Sequence, residues 1–148
     1  MNGKVTMSIT GNLTADIELR FTPKGAAVTN FTVASTPRQF NAQTGKWEDG
    51  AALFMRCRAW REMAENIAES RLTKGTRVTV TGVLTQRSWE DDNQQKHTLY
   101  ELDAEDVSAS MKFAQVAVKR IRRDMEAPAR PQQQSADRKP QQDEEPPF

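Results

Sequence analysis

The stretch Leu53-Phe54-Met55-Arg56-Cys57-Arg58-Ala59-Trp60 constrains the fold of this chain more than any other. In a β-strand, successive side chains point to opposite faces. Leu53, Met55, Cys57 and Ala59 then face a core, and Phe54, Arg56, Arg58 and Trp60 face the other way. That second face reads aromatic, cation, cation, aromatic. A surface built only for water rarely carries a Phe and a Trp, and a core rarely carries two arginines. The strand is therefore half-buried, with an outer face suited to something other than solvent.

The same period of two recurs through the first two-thirds of the chain, in short runs separated by turn residues. Residues 5–12 place Met7, Ile9 and Gly11 on one face, and residues 16–21 place Ile17, Leu19 and Phe21 inward. Pro23-Lys24-Gly25 is a turn, and residues 26–35 form a strand with Phe31 and Val33 inward. Residues 36–51 read as a polar loop holding Phe40 and Trp47. Residues 61–72 carry the one helical pattern, with Met63, Ala64, Ile67, Ala68 and Leu72 as its apolar stripe and Gly75 as its stop signal. Residues 77–89 form a long strand with Val78, Val80, Gly82 and Leu84 inward. A polar tip leads into a return strand over 97–107, in which Leu99, Glu101 and Asp103 oppose Tyr100, Leu102 and Ala104. The alternation of Met111 and Phe113 makes 113–126 a further strand or an extended arm. Residues 127–142, rich in Pro, Gln, Ala and Arg, read as a disordered linker.

About five strands with one helix between the third and fourth is the pattern of an OB-fold, a five-stranded Greek-key barrel. The expected fold is thus all-β dominated, an OB-fold over residues 1–112 followed by a disordered C-terminal tail. Other small barrels share this strand count.

The formal net charge of +1 over 148 residues does not advertise a polyanionic partner. The charges are nevertheless sorted. Residues 1–112 carry equal numbers of each sign, Lys119, Arg120, Arg122 and Arg123 are basic, and Asp143, Glu144 and Glu145 are acidic. Any basic surface on the body is a local groove. The single cysteine, Cys57, excludes an intramolecular disulfide and reads as a buried small hydrophobe. One histidine, His97, and no Cys/His cluster argue against a metal site, and no cofactor is expected. No apolar run reaches transmembrane length and residues 1–10 lack a signal-peptide core, so a cytoplasmic, nucleoid-associated protein is expected.

Arg87 and Trp89 repeat the aromatic-basic pairing in phase with Arg77, and Phe40 and Trp47 precede the strand bearing Phe54 and Trp60. Five aromatics thus fall outside the inferred core. Each has a structural alternative. Trp60 is placed to staple the helix's first turn, Trp47 to pack on its own loop, and Phe54 and Trp89 to meet another subunit. The arginines alone would also serve to discourage edge pairing. Single-stranded nucleic acid accounts for the whole set at once. Bases stack on the rings, phosphates sit near the guanidiniums, and same-face spacing of roughly 6.6 Å suits an extended polynucleotide. Arg56, Arg58, Arg77, Arg87 and Lys74 are the candidate phosphate contacts, and Phe40, Trp47, Phe54, Trp60 and Trp89 the candidate stacking residues.

Gly11-Asn12-Leu13 with Asp16, Glu18 and Arg20, then Thr32-Val33-Ala34, Leu53-Phe54 through Trp60, Lys74-Gly75 and Gln86-Arg87-Ser88-Trp89 together resemble the bacterial single-stranded DNA-binding protein family. Residues 38–60, with Phe40, Gln43-Thr44-Gly45, Trp47 and Asp49-Gly50, resemble its actinobacterial branch and the phages of those hosts. The end of the chain, Asp143, Glu144, Glu145, Pro146, Pro147 and Phe148, is similar to the family's acidic tip. The resemblance implies a homotetramer wrapped by DNA, stacking at Phe54, Trp60 and Trp89 with Phe40 near a fourth such position, and a tip that engages DNA replication, repair and recombination proteins. Two alternatives stay open on the sequence: an RNA-binding OB module, and an adaptor whose main role is to recruit proteins. An enzyme fits poorly, since no nucleophile–base pair, phosphate loop or metal-ligand cluster is present.

Overall fold

The computed structural model describes residues 2–121. One unit runs to Val116 and holds all the regular structure of the described residues; of the second, Ala117–Phe148, the described residues 117–121 adopt none. The linker expected over 127–142 and the tip at 143–148 lie outside the described residues.

The strands are β1 (Thr6–Leu13), β2 (Leu19–Phe21), β3 (Ala27–Ser35), β4 (Arg38–Asn41), β5 (Lys46–Asp49), β6 (Leu53–Trp60), β7 (Arg77–Glu90) and β8 (Lys96–Ala109), with the helix α1 (Arg61–Glu69) between β6 and β7. The main sheet runs β1-β7-β8-β6-β3-β2 and closes through a further β1–β3 pairing. Without the edge strand β2, the ring is β1-β3-β6-β8-β7-β1, in which only β6 and β8 pair in parallel. This is the five-stranded Greek-key closure of an OB-fold, with the helix spanning the crossover from third to fourth barrel strand.

Closure demands glycine where two backbones nearly touch. A Cβ on Gly11 would run into the backbone carbonyl of Ala34, beside the closing pairs Asn12–Ala34 and Leu13–Val33. Gly82 meets the Asp103 carbonyl in the same way, next to a β-bulge that inserts Glu105 into β8. Bulges of this kind increase local twist and let a sheet curl into a barrel.

The core is built by the inward faces of these strands. Val33, Ala59, Val78, Val80 and Leu102 are fully buried, joined by Ile9, Leu13, Phe31 and Cys57. From α1, Ala64 and Ile67 cover one end of the barrel, with Met63 and Leu72 packed beside them. Helix α1 stops at Glu69, three residues before the predicted end. Ser70 takes the C-cap, and the left-handed backbone at Arg71 turns the chain earlier than Gly75 does.

Four expectations are corrected. Residues 36–51 are not a loop but the β4–β5 hairpin, pairing Phe40 directly with Trp47. Phe21 is exposed rather than inward, because β2 is a three-residue edge strand. Leu53 is exposed because it sits at the last pair of the β3–β6 ladder, beyond the barrel wall. Residues 110–121 form no strand, which leaves only the arm alternative for their described part.

Candidate nucleic-acid interface

Strands β3, β6, β8 and β7 lie side by side, and one outer face runs across all four. Its geometry follows from the ladder register. Opposite Phe54, Arg56, Arg58 and Trp60 of β6 stand Ala34, Thr32, Asn30 and Val28 of β3. On the other side of β6, Arg56 is in register with Glu101 of β8. Glu101 is in turn paired with Thr85 of β7, Arg87 with Leu99, and Trp89 with His97. The two aromatic-basic runs recognised in the sequence therefore share one surface, with β8 between them.

All five candidate aromatics are open to solvent, from 40% exposed at Trp60 to 63% at Phe54 and Trp47. Each tryptophan on the sheet has a cation against it. The Arg58 guanidinium carbon is 5.7 Å from the centre of Trp60 and that of Arg87 is 5.4 Å from Trp89. Such contacts hold an indole against the sheet while leaving part of it free. Trp89 is further braced by His97, whose ring stacks on it at 5.5 Å and 24°. His97 Nε2 lies 2.7 Å from Asp91 Oδ2, and Asp91 also accepts backbone hydrogen bonds from Asn93 and Gln95. The His97 bond, then those from the backbone, lower the Asp91 carboxyl below its ordinary value. The hairpin tip that presents Trp89 is thus tied at both ends.

A depression of about 350 Å³ lies between the two tryptophans, lined by Asn30, Thr32, Arg56, Arg58, Arg87 and Glu101 among others. Alternation groups Glu101 with Leu99 and Asp103 but does not by itself put it on this face. Only 7% exposed, it gives one oxygen to each arginine: Oε2 to Arg58 Nη2 at 2.9 Å and Oε1 to Arg87 Nη2 at 3.1 Å. Arg58 Nε also donates to Asn30 Oδ1 at 3.1 Å. Arg56 makes no ion pair among the described residues, so its charge is directed at solvent. A lone buried acid between two basic positions on neighbouring strands is the sequence signal for this network, but it needs the parallel β6–β8 register to be read.

The remaining candidates lie elsewhere. Phe40 and Trp47 meet in a tilted contact at 5.5 Å and 60° on the β4–β5 hairpin, a two-stranded sheet of its own rooted where the β3–β6 ladder ends. Trp47 does pack within its own segment, as its structural alternative required, yet the pair remains exposed. Arg77 is ten residues from Arg87 on β7, roughly 33 Å along an extended strand. Its guanidinium carbon is 5.9 Å from the Phe113 ring, and its buried Nε has no hydrogen-bond partner among the described residues. Lys74 sits in the neighbouring turn, its backbone N–H donating to Asp16 Oδ1 at 2.7 Å. Arg77 and Lys74 thus share one end of the barrel, away from the arginine–glutamate network. Among the described residues, no group of three or more His, Cys, Asp or Glu side chains is placed to hold a metal ion. None of their helices is long and apolar enough to cross a membrane.

Residues 5–110 match the profile of the Single-strand binding protein family, which is the whole barrel and its four-strand face. The chain belongs to that family. A single-stranded DNA-binding protein of Mycolicibacterium smegmatis is 55% identical over 123 residues, covering 83% of this chain and 74% of the relative. One from Corynebacterium glutamicum is 53% identical over 121 residues, covering 82% of this chain and 53% of the relative. Among solved structures, a small single-stranded DNA-binding protein from Streptomyces coelicolor superposes with a TM-score of 0.62 at 27% identity, covering 75% of this chain and 97% of that one. The actinobacterial resemblance of residues 38–60 is thereby borne out. The family is one of DNA-binding proteins rather than enzymes, which disposes of the enzymatic alternative.

Proposed function

We propose that this protein binds single-stranded DNA without sequence preference, protecting DNA opened during replication, recombination and repair. The observation that carries this reading is the shared face of β6 and β7. Two half-exposed tryptophans, each with an arginine against its ring, flank a polar depression on one continuous surface, and Phe54 extends it. Every base has a π-face, so stacking of this kind tolerates any sequence, while cations beside the rings meet the phosphates. Base-edge readout would need a groove of fixed donors and acceptors. Here Asn30 and Glu101 are already spent on the arginines.

Phe54, Trp60 and Trp89 are the primary stacking residues in this reading, Arg56 and Arg87 the phosphate contacts, and Arg58 the cation that braces Trp60. Phe40 and Trp47 offer a second aromatic site on the hairpin, and Arg77 and Lys74 a separate basic one. The working form is a homotetramer in the cytoplasm, associated with the nucleoid. Asp143, Glu144, Glu145, Pro146, Pro147 and Phe148 recruit the enzymes that act on the bound DNA.

Titration of the full chain with oligo-dT should quench tryptophan fluorescence, with an affinity that falls as salt rises. Mass measurement of the complex gives its stoichiometry. Stacking alone does not discriminate the sugar, and recognition of RNA would need contacts to the 2′-hydroxyl, so competition between equal-length DNA and RNA oligomers separates the two classes, with DNA expected to bind at least as tightly. Absence of quenching and binding would refute the reading, and preferential binding of the RNA oligomer would move it to the RNA-binding class.

A further inference from the structure

Between the two tryptophan–arginine pairs stands one carboxylate whose presence a DNA-binding surface does not explain. Glu101 faces outward from the barrel on β8, in the middle of the proposed DNA path, yet it is almost fully covered. What covers it is the pair of arginines that the phosphates would need. One carboxylate oxygen is taken by each guanidinium, at 2.9 and 3.1 Å. The result is a row across three strands, Trp60–Arg58–Glu101–Arg87–Trp89, with a net charge of one rather than two.

The two arginines are not held equally. Arg58 has a second partner in Asn30 Oδ1, and its side chain is 24% exposed. Among the described residues Arg87 has only Glu101 as an anionic partner, and its side chain is 56% exposed. A phosphate arriving from solvent can reach Arg87 without displacing the Arg58–Glu101 pair. Removing both arginines from Glu101 would leave a buried carboxylate unpaired, which is strongly unfavourable. One cation can therefore be exchanged onto DNA, and the other stays with the protein.

We infer that Glu101 is a positioning residue that competes with the DNA phosphate: it keeps Arg58 fixed between the two tryptophans, lends Arg87 to the bound strand, and so limits the network to one phosphate contact. The inference rests on the single-stranded DNA reading. Its functional consequence is a moderated affinity. A binder that must be cleared from DNA by other proteins gains from a built-in anion that can reclaim its arginine.

The salt dependence of binding tests this directly. Each phosphate neutralised on a single strand contributes a slope of about 0.7 in log K against log[salt]. Glu101→Gln in the full chain, titrated with oligo-dT, should bind more tightly at low salt, steepen the slope by about 0.7 and dissociate more slowly. A purely structural role predicts the opposite, weaker binding with an unchanged or shallower slope, and that result would overturn the inference. Should Glu101→Gln fail to fold with Arg58 left unpaired, the double variant Glu101→Gln/Arg58→Gln removes that guanidinium too. It retains Arg87 as the one cation, so the wild-type slope should be preserved. A slope lower by about 0.7 in the double variant would mean that Arg58 had contacted phosphate all along, and would equally overturn the inference. Wild type is measured first: its failure to bind oligo-dT would remove the underlying reading, whereas normal wild-type binding with a wrong slope in the variants would remove only the role of Glu101.

Discussion

Trp60 closes β6 and occupies the N-cap position of α1, yet it contributes no side-chain cap and its ring is 40% exposed. Its cost to the fold on removal should therefore be small, and its cost to binding large. Trp60→Ala should weaken oligo-dT binding by about 1–3 kcal/mol, the scale of one stacked base, while thermal unfolding stays close to wild type. A variant that binds normally but melts early would make Trp60 a helix staple instead. Cys57 sits on the opposite side of the same strand and behaves oppositely. Its thiol donates to the Met55 carbonyl at 3.6 Å, and burial pushes its pKa up to about 12 from an ordinary 9.0. Above pH 9 the unfolded chain surrenders this proton while the folded chain retains it. The contribution to stability is therefore complete below 9 and is lost as pH rises toward 12. Denaturant midpoints measured across that range should fall more steeply for wild type than for Cys57→Ala. The thiol should also resist alkylation at pH 8 until the protein unfolds.

At the scale of elements, the barrel depends on a few backbone approaches that admit no side chain. Gly11→Ala would drive a Cβ into the Ala34 carbonyl at the β1–β3 closure. Overpacking of this kind costs about 1–3 kcal/mol, so the variant should show a lowered melting temperature by circular dichroism with its strand content retained. Unaltered stability would mean that the closure is looser than the β1–β3 register indicates. The barrel strands were legible in the sequence because each buries one face, which imposes strict alternation: Ile9, Phe31, Val33, Cys57, Val78 and Val80 all point where period two puts them. The β4–β5 hairpin was not legible for the converse reason. Neither of its strands buries a face, and its one pattern signal is the cross-strand pair of Phe40 with Trp47. Phe21 and Leu53 were misread because alternation reports phase but not where a strand leaves the core. The aromatics and arginines of the proposed binding face were legible in the sequence. Glu101 was not, since its role arises only where β6, β8 and β7 bring Arg58, Glu101 and Arg87 together, and that convergence depends on register over long sequence separation.

For the whole molecule, the distribution of charge matters more than its sum. A chain with a formal charge of only +1 can gather a polyanion by exposing cations such as Arg56 locally and pairing others. The terminal Asp143, Glu144 and Glu145 are followed by Pro146, Pro147 and Phe148. Solubility alone would require the charges but not the ring. An aromatic residue next to an acidic run would offer a partner an apolar handle beside anionic ones, and the two prolines would reduce the entropy lost on docking. In the proposed function the carboxylates would steer that segment toward basic surfaces and away from DNA. Deleting residues 143–148 should leave oligo-dT affinity unchanged or slightly tighter at low salt, because only repulsion is removed. Capture of DNA-processing enzymes from host lysate should be lost. Phe148→Ala isolates the ring, retaining every acidic side chain while removing the apolar handle, and it should lose the same partners as the deletion. Identical partner sets for wild type and Phe148→Ala would show that the terminal ring recruits nothing.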